Sequence, residues 1–190
     1  MNIISGKARN LQLTELPDCA VRPTAIRARK ALFDSLSGKL EGAGVIDLCS
    51  GSGALALEAA SRGAKWIFMV ENDPAHLSCI KENCRRVAAA GVESEMIAAD
   101  FDILNFHRWR SMLPEKADIL FADPPYAKSA EFFRQLAANE EFRSALAGTV
   151  MIWEIPDTPG AMGEFITVEF PQNKQFRRFG GTLFLTGVIG

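Results

Sequence analysis

The sequence predicts an α/β domain: a mostly parallel, doubly wound sheet with helices on both faces and a C-terminal antiparallel hairpin. Three observations predict it. Short apolar runs alternate with helix-forming segments from residue 44 to residue 155, the first run feeds a glycine turn, and beyond Pro156 the alternation stops. Strands repeatedly joined by helical crossovers must run parallel, and the crossovers cover both sheet faces.

The run 44–48 is the first strand and leads into Gly51-Ser52-Gly53; residues 54–62 are strong helix formers, and Gly63 supplies the stop. Residues 66–70 form the second strand, ending at Glu71. Asp73-Pro74 then opens a helix, with Asp as N-cap and Pro in the first turn. Its apolar positions Leu77, Ile80, Cys84 and Val87 recur at three or four residues, one buried face, and Gly91 ends it. Further strands are expected at 96–99, 118–122 and 149–155, with a helix over 129–138. Two runs without a helix between them, 165–170 and 176–188, read as the hairpin. Asp47, Glu71, Asp100 and Asp123 each fall at or just past a strand end, where sheets of this kind bind their ligands.

The chain has 190 residues, 48% hydrophobic and 23% charged, which suits one soluble domain with a real core. No apolar run reaches membrane-spanning length and residues 1–10 lack the apolar middle of a secretory signal, so a cytoplasmic location is expected. The four cysteines form no CxxC pair and the two histidines, His76 and His107, have no ligand-like partners, so no metal and no disulfide framework are expected. A net charge of −2 argues against nucleic acid, but its distribution does not. Residues 1–30 hold six basic residues against two acids, and residues 171–190 hold Lys174, Arg177 and Arg178 with no acid. The expected organisation is therefore a basic arm, 1–30, ahead of a catalytic domain, 31–190, with phosphates met through the basic ends.

The chemistry is concentrated at two places. Asp47, Gly51 and Gly53 form a strand–turn–helix in which glycines let the backbone approach a ligand, and Glu71 lies where an acid would meet ribose hydroxyls. Gly51, Gly53 and Ala56 also satisfy the dinucleotide pattern, so a nicotinamide oxidoreductase stays open on these residues alone. The second place is Asp123-Pro124-Pro125-Tyr126. Two prolines remove two backbone donors and extend the residues before them, presenting a carboxylate and a carbonyl beside an aromatic ring. That is a receptor for an amino group on a flat ring, which a dehydrogenase does not need.

Gly6-x-x-Arg9, Arg22-Pro23-Thr24 with Arg27 and Arg29, Gly51-Ser52-Gly53-Ala54-Leu55 with Leu57-Glu58-Ala59, and the Asp123–Tyr126 tetrad together resemble the RsmD family. These are bacterial class I methyltransferases that modify N2 of a guanine in 16S ribosomal RNA. The resemblance runs from Gly6 through nearly the whole chain. It departs at Leu11, where a second basic residue is usual, at Ile26 and Lys30, where acids are usual, and at Cys49-Ser50, usually Phe-Ala.

The resemblance implies a Rossmann-like class I methyltransferase fold with S-adenosylmethionine as cofactor and S-adenosylhomocysteine as product. Asp47, Gly51, Gly53, Glu71, Asn72, Asp100 and Phe101 would hold the cofactor. Asp123, Pro124, Pro125 and Tyr126 would act on a base taken out of its stack. Lys7, Arg9, Arg22, Arg27 and Arg29 would contact 16S ribosomal RNA or the small ribosomal particle, with the 22–29 segment also able to reach the cofactor. A monomer is expected. The rivals are an amino methyltransferase acting on DNA adenine N6 or on protein glutamine, and a binding-only RNA protein on the same fold.

Overall fold

The structure, a computed structural model, describes residues 1–16, 26–179 and 181–190. Cys19 and the predicted contact segment Arg22-Pro23-Thr24 lie outside them.

Seven strands form one sheet: β1 (Gly44–Leu48), β2 (Trp66–Glu71), β3 (Glu95–Asp100), β4 (Ile119–Ala122), β5 (Val150–Ile155), β6 (Gln172–Phe179) and β7 (Thr182–Val188). Their order is β3-β2-β1-β4-β5-β7-β6, with the first five parallel and β7 antiparallel to both neighbours. The order reverses between β1 and β4, so the crevice at a switch point opens between their carboxyl ends.

The helices are α1 (Ile26–Ser35), α2 (Ala54–Ser61), α3 (Pro74–Ala89), the single turn α4 (Phe106–Trp109), α5 (Tyr126–Ala138), α6 (Glu140–Ala145) and α7 (Ala161–Ile166). Strands β1, β2 and β4 are buried along their whole length, as strands covered on both faces must be. On one face Val45, Ile67 and Phe121 pack with Phe33, Leu57 and Ile80 of α1, α2 and α3. On the other, Ile46, Phe68 and Trp153 pack with Trp109, Phe133 and Phe142 of α4, α5 and α6.

The basic N-terminal stretch is folded onto α2. Asn2 bridges Gln12, and Ile3, Ala8 and Leu13 are core residues. The buried Glu58 carboxylate accepts the backbone N–H of Ile4 at 2.7 Å and of Ser5 at 3.1 Å, and pairs with Arg62 at 2.7 Å. Gly6 has φ +83° and its missing Cβ would fall 1.8 Å from the Ser61 carbonyl oxygen, so packing alone demands glycine there.

Two sequence expectations need correction. Residues 165–170 are not a strand: α7 covers Ala161–Ile166, and Phe165 and Phe170 converge on the Phe133 ring at 5.0 and 5.7 Å. Both hairpin strands lie within 172–188 instead, with β6 on the sheet edge and mostly exposed. An edge strand carrying Lys174, Arg177 and Arg178 has no apolar alternation to reveal it. The helix expected over 129–138 begins earlier, at Tyr126.

Candidate active site

A cleft of about 190 Å³ opens at the carboxyl ends of the strands. One wall is Glu71, Asn72, Asp73 and His76, where β2 passes into α3; another is Phe101, Asp102 and Ile103 after β3. Cys49 follows β1, and Asp123, Pro125, Lys128 and Phe132 come from the end of β4 and the start of α5. Five residues singled out from the sequence therefore meet in one cavity: Glu71, Asn72, Phe101, Asp123 and Pro125.

Glu71 ties the site together. One carboxylate oxygen accepts the backbone N–H groups of Asn72 and Asp73 at 2.9 and 3.0 Å; the other accepts that of Gly51 at 2.9 Å. A carboxylate has about four lone-pair positions, so roughly one remains for a ligand hydroxyl. Asp73 caps α3, its side chain accepting from Ala75 and His76 at 2.8 and 3.1 Å. Both N–H bonds hold its carboxyl below the usual range.

Asp47 is buried on β1 and accepts the Ala56 N–H at 3.3 Å, with its carboxyl behind the glycine turn and away from the cleft lining. Burial pushes its pKa up to about 8, with a smaller push from Glu71 and an opposing pull from the Ala56 bond. It is therefore mostly protonated at neutral pH. Gly51 and Gly53 take φ +55° and +76°, and a Cβ on Gly53 would press on Met69 and Leu57 at 3.2 and 3.3 Å. Cys49 adopts φ +58°, unusual for a residue with a Cβ, and burial among acids holds its thiol protonated.

The tetrad is divided. Asp123 is half-buried at the cleft, Pro124 is buried, Pro125 caps α5, and Tyr126 is 38% exposed as the first helical residue. The Tyr126 hydroxyl donates to Glu154 at 2.9 Å, a partner that no local pattern in the sequence announces. Asp100 is exposed and outside the lining; Asp102, whose side chain caps the Leu104 N–H at 2.9 Å, faces the cleft instead.

The basic residues are dispersed. Lys7 pairs with Glu93 at 3.3 Å in a hollow beside Gly63 and Lys65, at the amino ends of β2 and β3 and opposite the cleft. Arg9 is exposed in the turn that follows, and Arg27 is exposed on α1. Arg29 is fully buried, its guanidinium donating to Met1 Sδ at 2.7 Å and to the Asn2 carbonyl; burial lowers its pKa and the nearby Glu58 opposes this. Lys174 closes the end of α7 through the carbonyls of Phe165, Ile166 and Val168 at 2.8, 2.9 and 2.6 Å, and Arg178 pairs with Asp157.

Sequence reasoning missed several cleft residues. Lys128 and Phe132 stand four apart on α5, and a helix started at Tyr126 would have put both on the tetrad's side. His76 is buried against the cleft, its Nδ1 3.9 Å from Glu71, where a surface or packing role is the simpler sequence reading. Among the described residues, no cluster of His, Cys, Asp or Glu could hold a metal ion, and no helix is long and apolar enough to cross a membrane.

The topology, the glycine turn and the acids at the strand ends define a class I methyltransferase fold. The chain belongs to the RsmD family: the family model described as conserved hypothetical protein 95 matches residues 1–175. It is similar to the ribosomal RNA small subunit methyltransferase D of Haemophilus influenzae, 30% identical over 126 residues, covering 66% of this chain and 64% of that protein. The match thus spans a little under two thirds of that relative. A hypothetical protein of Thermus thermophilus superimposes with TM-score 0.73 and 29% identity, over 100% of this chain and 99% of the other. The ribosomal protein L11 methylase of Lactobacillus delbrueckii subsp. bulgaricus shares the fold at TM-score 0.62 and 18% identity, over 94% of this chain and 86% of its own.

Proposed function

We propose that this protein transfers a methyl group from S-adenosylmethionine to the exocyclic N2 of a guanine in 16S ribosomal RNA, as free RNA or within the small ribosomal particle. One observation carries the reading: Asp123 of the tetrad and Glu71 line the same cleft, so an acceptor for an amino group and an acceptor for ribose hydroxyls share one cavity. The names of its relatives support small-subunit ribosomal RNA as substrate.

The cleft suits the cofactor. Its mixed walls match a nucleoside: apolar surface from Phe101 and Ile103 for a flat base, and carboxylates at Glu71 and Asp102 for hydroxyl and amino groups. Asn72 is beside Glu71 for the ribose. Gly51 and Gly53 serve the methionine end, and Asp47, buried behind them, holds the start of α2 through the Ala56 N–H. Bound S-adenosylmethionine supplies an electrophilic methyl group on a sulfonium.

The protein's own work is at the acceptor. The guanine amine gives its lone pair to the ring and is a weak nucleophile. The Asp123 carboxylate and the Pro124 carbonyl accept its hydrogens, favour a tetrahedral nitrogen and stabilise the positive charge that grows there. Tyr126 stacks on the extruded base. Holding the reactants in line accounts for up to about 7–11 kcal/mol of barrier lowering. No strong base is needed, because the alkylated nitrogen is acidic and loses its proton late. Arg27, Lys7 and Arg9 are assigned to flanking phosphates.

Incubation with labelled S-adenosylmethionine and under-methylated small-subunit particles, followed by digestion to nucleosides, tests the reading. N2-methylguanosine is the expected product. Label in adenosine, in DNA or in protein glutamine would replace this reading with one of its rivals.

A further inference from the structure

We propose that Glu154 is a positioning residue for the tetrad: through its bond to the Tyr126 hydroxyl it fixes the aromatic ring on which the target base stacks. The inference rests on the reading given under Proposed function and adds a residue from outside the tetrad to it.

Tyr126 sits at the first position of α5 with over a third of its surface exposed. Its hydroxyl donates at 2.9 Å to Glu154, which is only 5% exposed, in the next-to-last position of β5. A buried carboxyl oxygen is costly to leave without a donor, so the bond is kept. It selects one ring orientation.

The acceptor itself is held. Ala122 of β4 pairs with Trp153 of β5, so Asp123, the first residue past β4, follows beside Glu154 of β5. Below them, the Trp153 indole N–H donates to the Ser129 hydroxyl at 2.9 Å, and that hydroxyl reaches the Glu154 carbonyl at 3.4 Å. Ser129 is fully buried one turn along α5 from Tyr126. These contacts dock the start of α5 onto the end of β5, so the ring and its carboxylate keep a constant separation. A base stacked on a pre-set ring is presented to Asp123 without the ring having to be ordered during the reaction.

The test is a double-mutant cycle on the full chain with small-subunit particles as substrate. Tyr126→Phe keeps the π face and removes the donor; Glu154→Leu removes the acceptor; Glu154→Gln keeps an acceptor. Tyr126→Phe and Glu154→Leu should each lower kcat about tenfold with little change in KM for the particle, because phosphate contacts carry most RNA affinity. The double variant should be no worse than either single one, and Glu154→Gln should recover most of the rate.

Tyr126 is the sole tyrosine in the sequence, which gives a readout besides activity. With tyrosine labelled, one slowly exchanging hydroxyl proton should appear in the wild type and in Glu154→Gln and vanish in Glu154→Leu. Full activity of Tyr126→Phe, or rate reductions that multiply in the double variant, would overturn the proposal even with that resonance present. If the unmodified protein transfers no methyl to the particle, the functional reading itself fails, whatever the resonance shows.

Discussion

The Glu71 carboxylate at the end of β2 accepts the backbone N–H of Gly51 at 2.9 Å, so the strand-end acid and the glycine turn are one mechanical unit. The same side chain holds Asn72 and Asp73, where the chain turns into α3.

Glu71→Ala is therefore expected to damage fold and ligand binding together. Three backbone donors lose their acceptor, a cost of about 1–3 kcal/mol that urea unfolding would report. Calorimetry should show weaker S-adenosylmethionine binding in the same variant. Glu71→Gln, which keeps an acceptor oxygen, should fall between. An unchanged unfolding midpoint in Glu71→Ala would mean that water replaces the carboxylate freely.

Asp47 makes stability depend on pH. Its folded pKa of about 8 lies above the usual 3.8, so the folded state holds its proton more tightly than the unfolded chain does. The sign follows: stability from this group is fully present below about pH 3.8 and is lost as pH rises to and through about 8. Asp47→Asn cannot ionise, so its stability relative to wild type should improve between pH 5 and about pH 8 and level off above that. Urea titrations at those two pH values check this, and a constant difference would contradict it.

Lys7 and Arg9 give a test of the basic stretch. Removing one cation from a phosphate should reduce the slope of log affinity against log salt by roughly 0.7–0.9. Replacing both with Ala should flatten the slope for RNA or particle binding and leave cofactor affinity alone. Because Lys7 lies at the opposite end of the strands from the cleft, the single-turnover rate at saturating RNA should not change. Superimposable slopes would remove both residues from the interface.

Much of this arrangement can be read from residues alone, for physical reasons. Asp73-Pro74 announces a helix start because its geometry is local, and the side chain caps as expected. Glu71 and Asp123 are legible because parallel strands of similar length bring their carboxyl ends to one edge, whereas Asp47 and Asp100 lie outside the cleft lining. What depends on long-range packing is not legible. Arg29 reads as a surface cation until the N-terminal stretch is seen folded over it. The Tyr126–Glu154 bond joins residues 28 apart that meet only once β4 and β5 pair. The helix start at Tyr126 is hidden because two prolines signal a turn as readily as a first helical turn, and Lys128 and Phe132 are missed with it.

We propose a division of labour within one cleft, with Asp123 acting on the acceptor nitrogen and Glu71 and its neighbours holding the cofactor. Asp123→Ala tests this division most directly, with S-adenosylmethionine affinity by calorimetry and methyl transfer to small-subunit particles measured on one preparation. Cofactor affinity should stay within about twofold of wild type while transfer falls by roughly 10²-fold or more. An Asp123→Ala protein that transfers methyl groups at the wild-type rate would contradict the assignment.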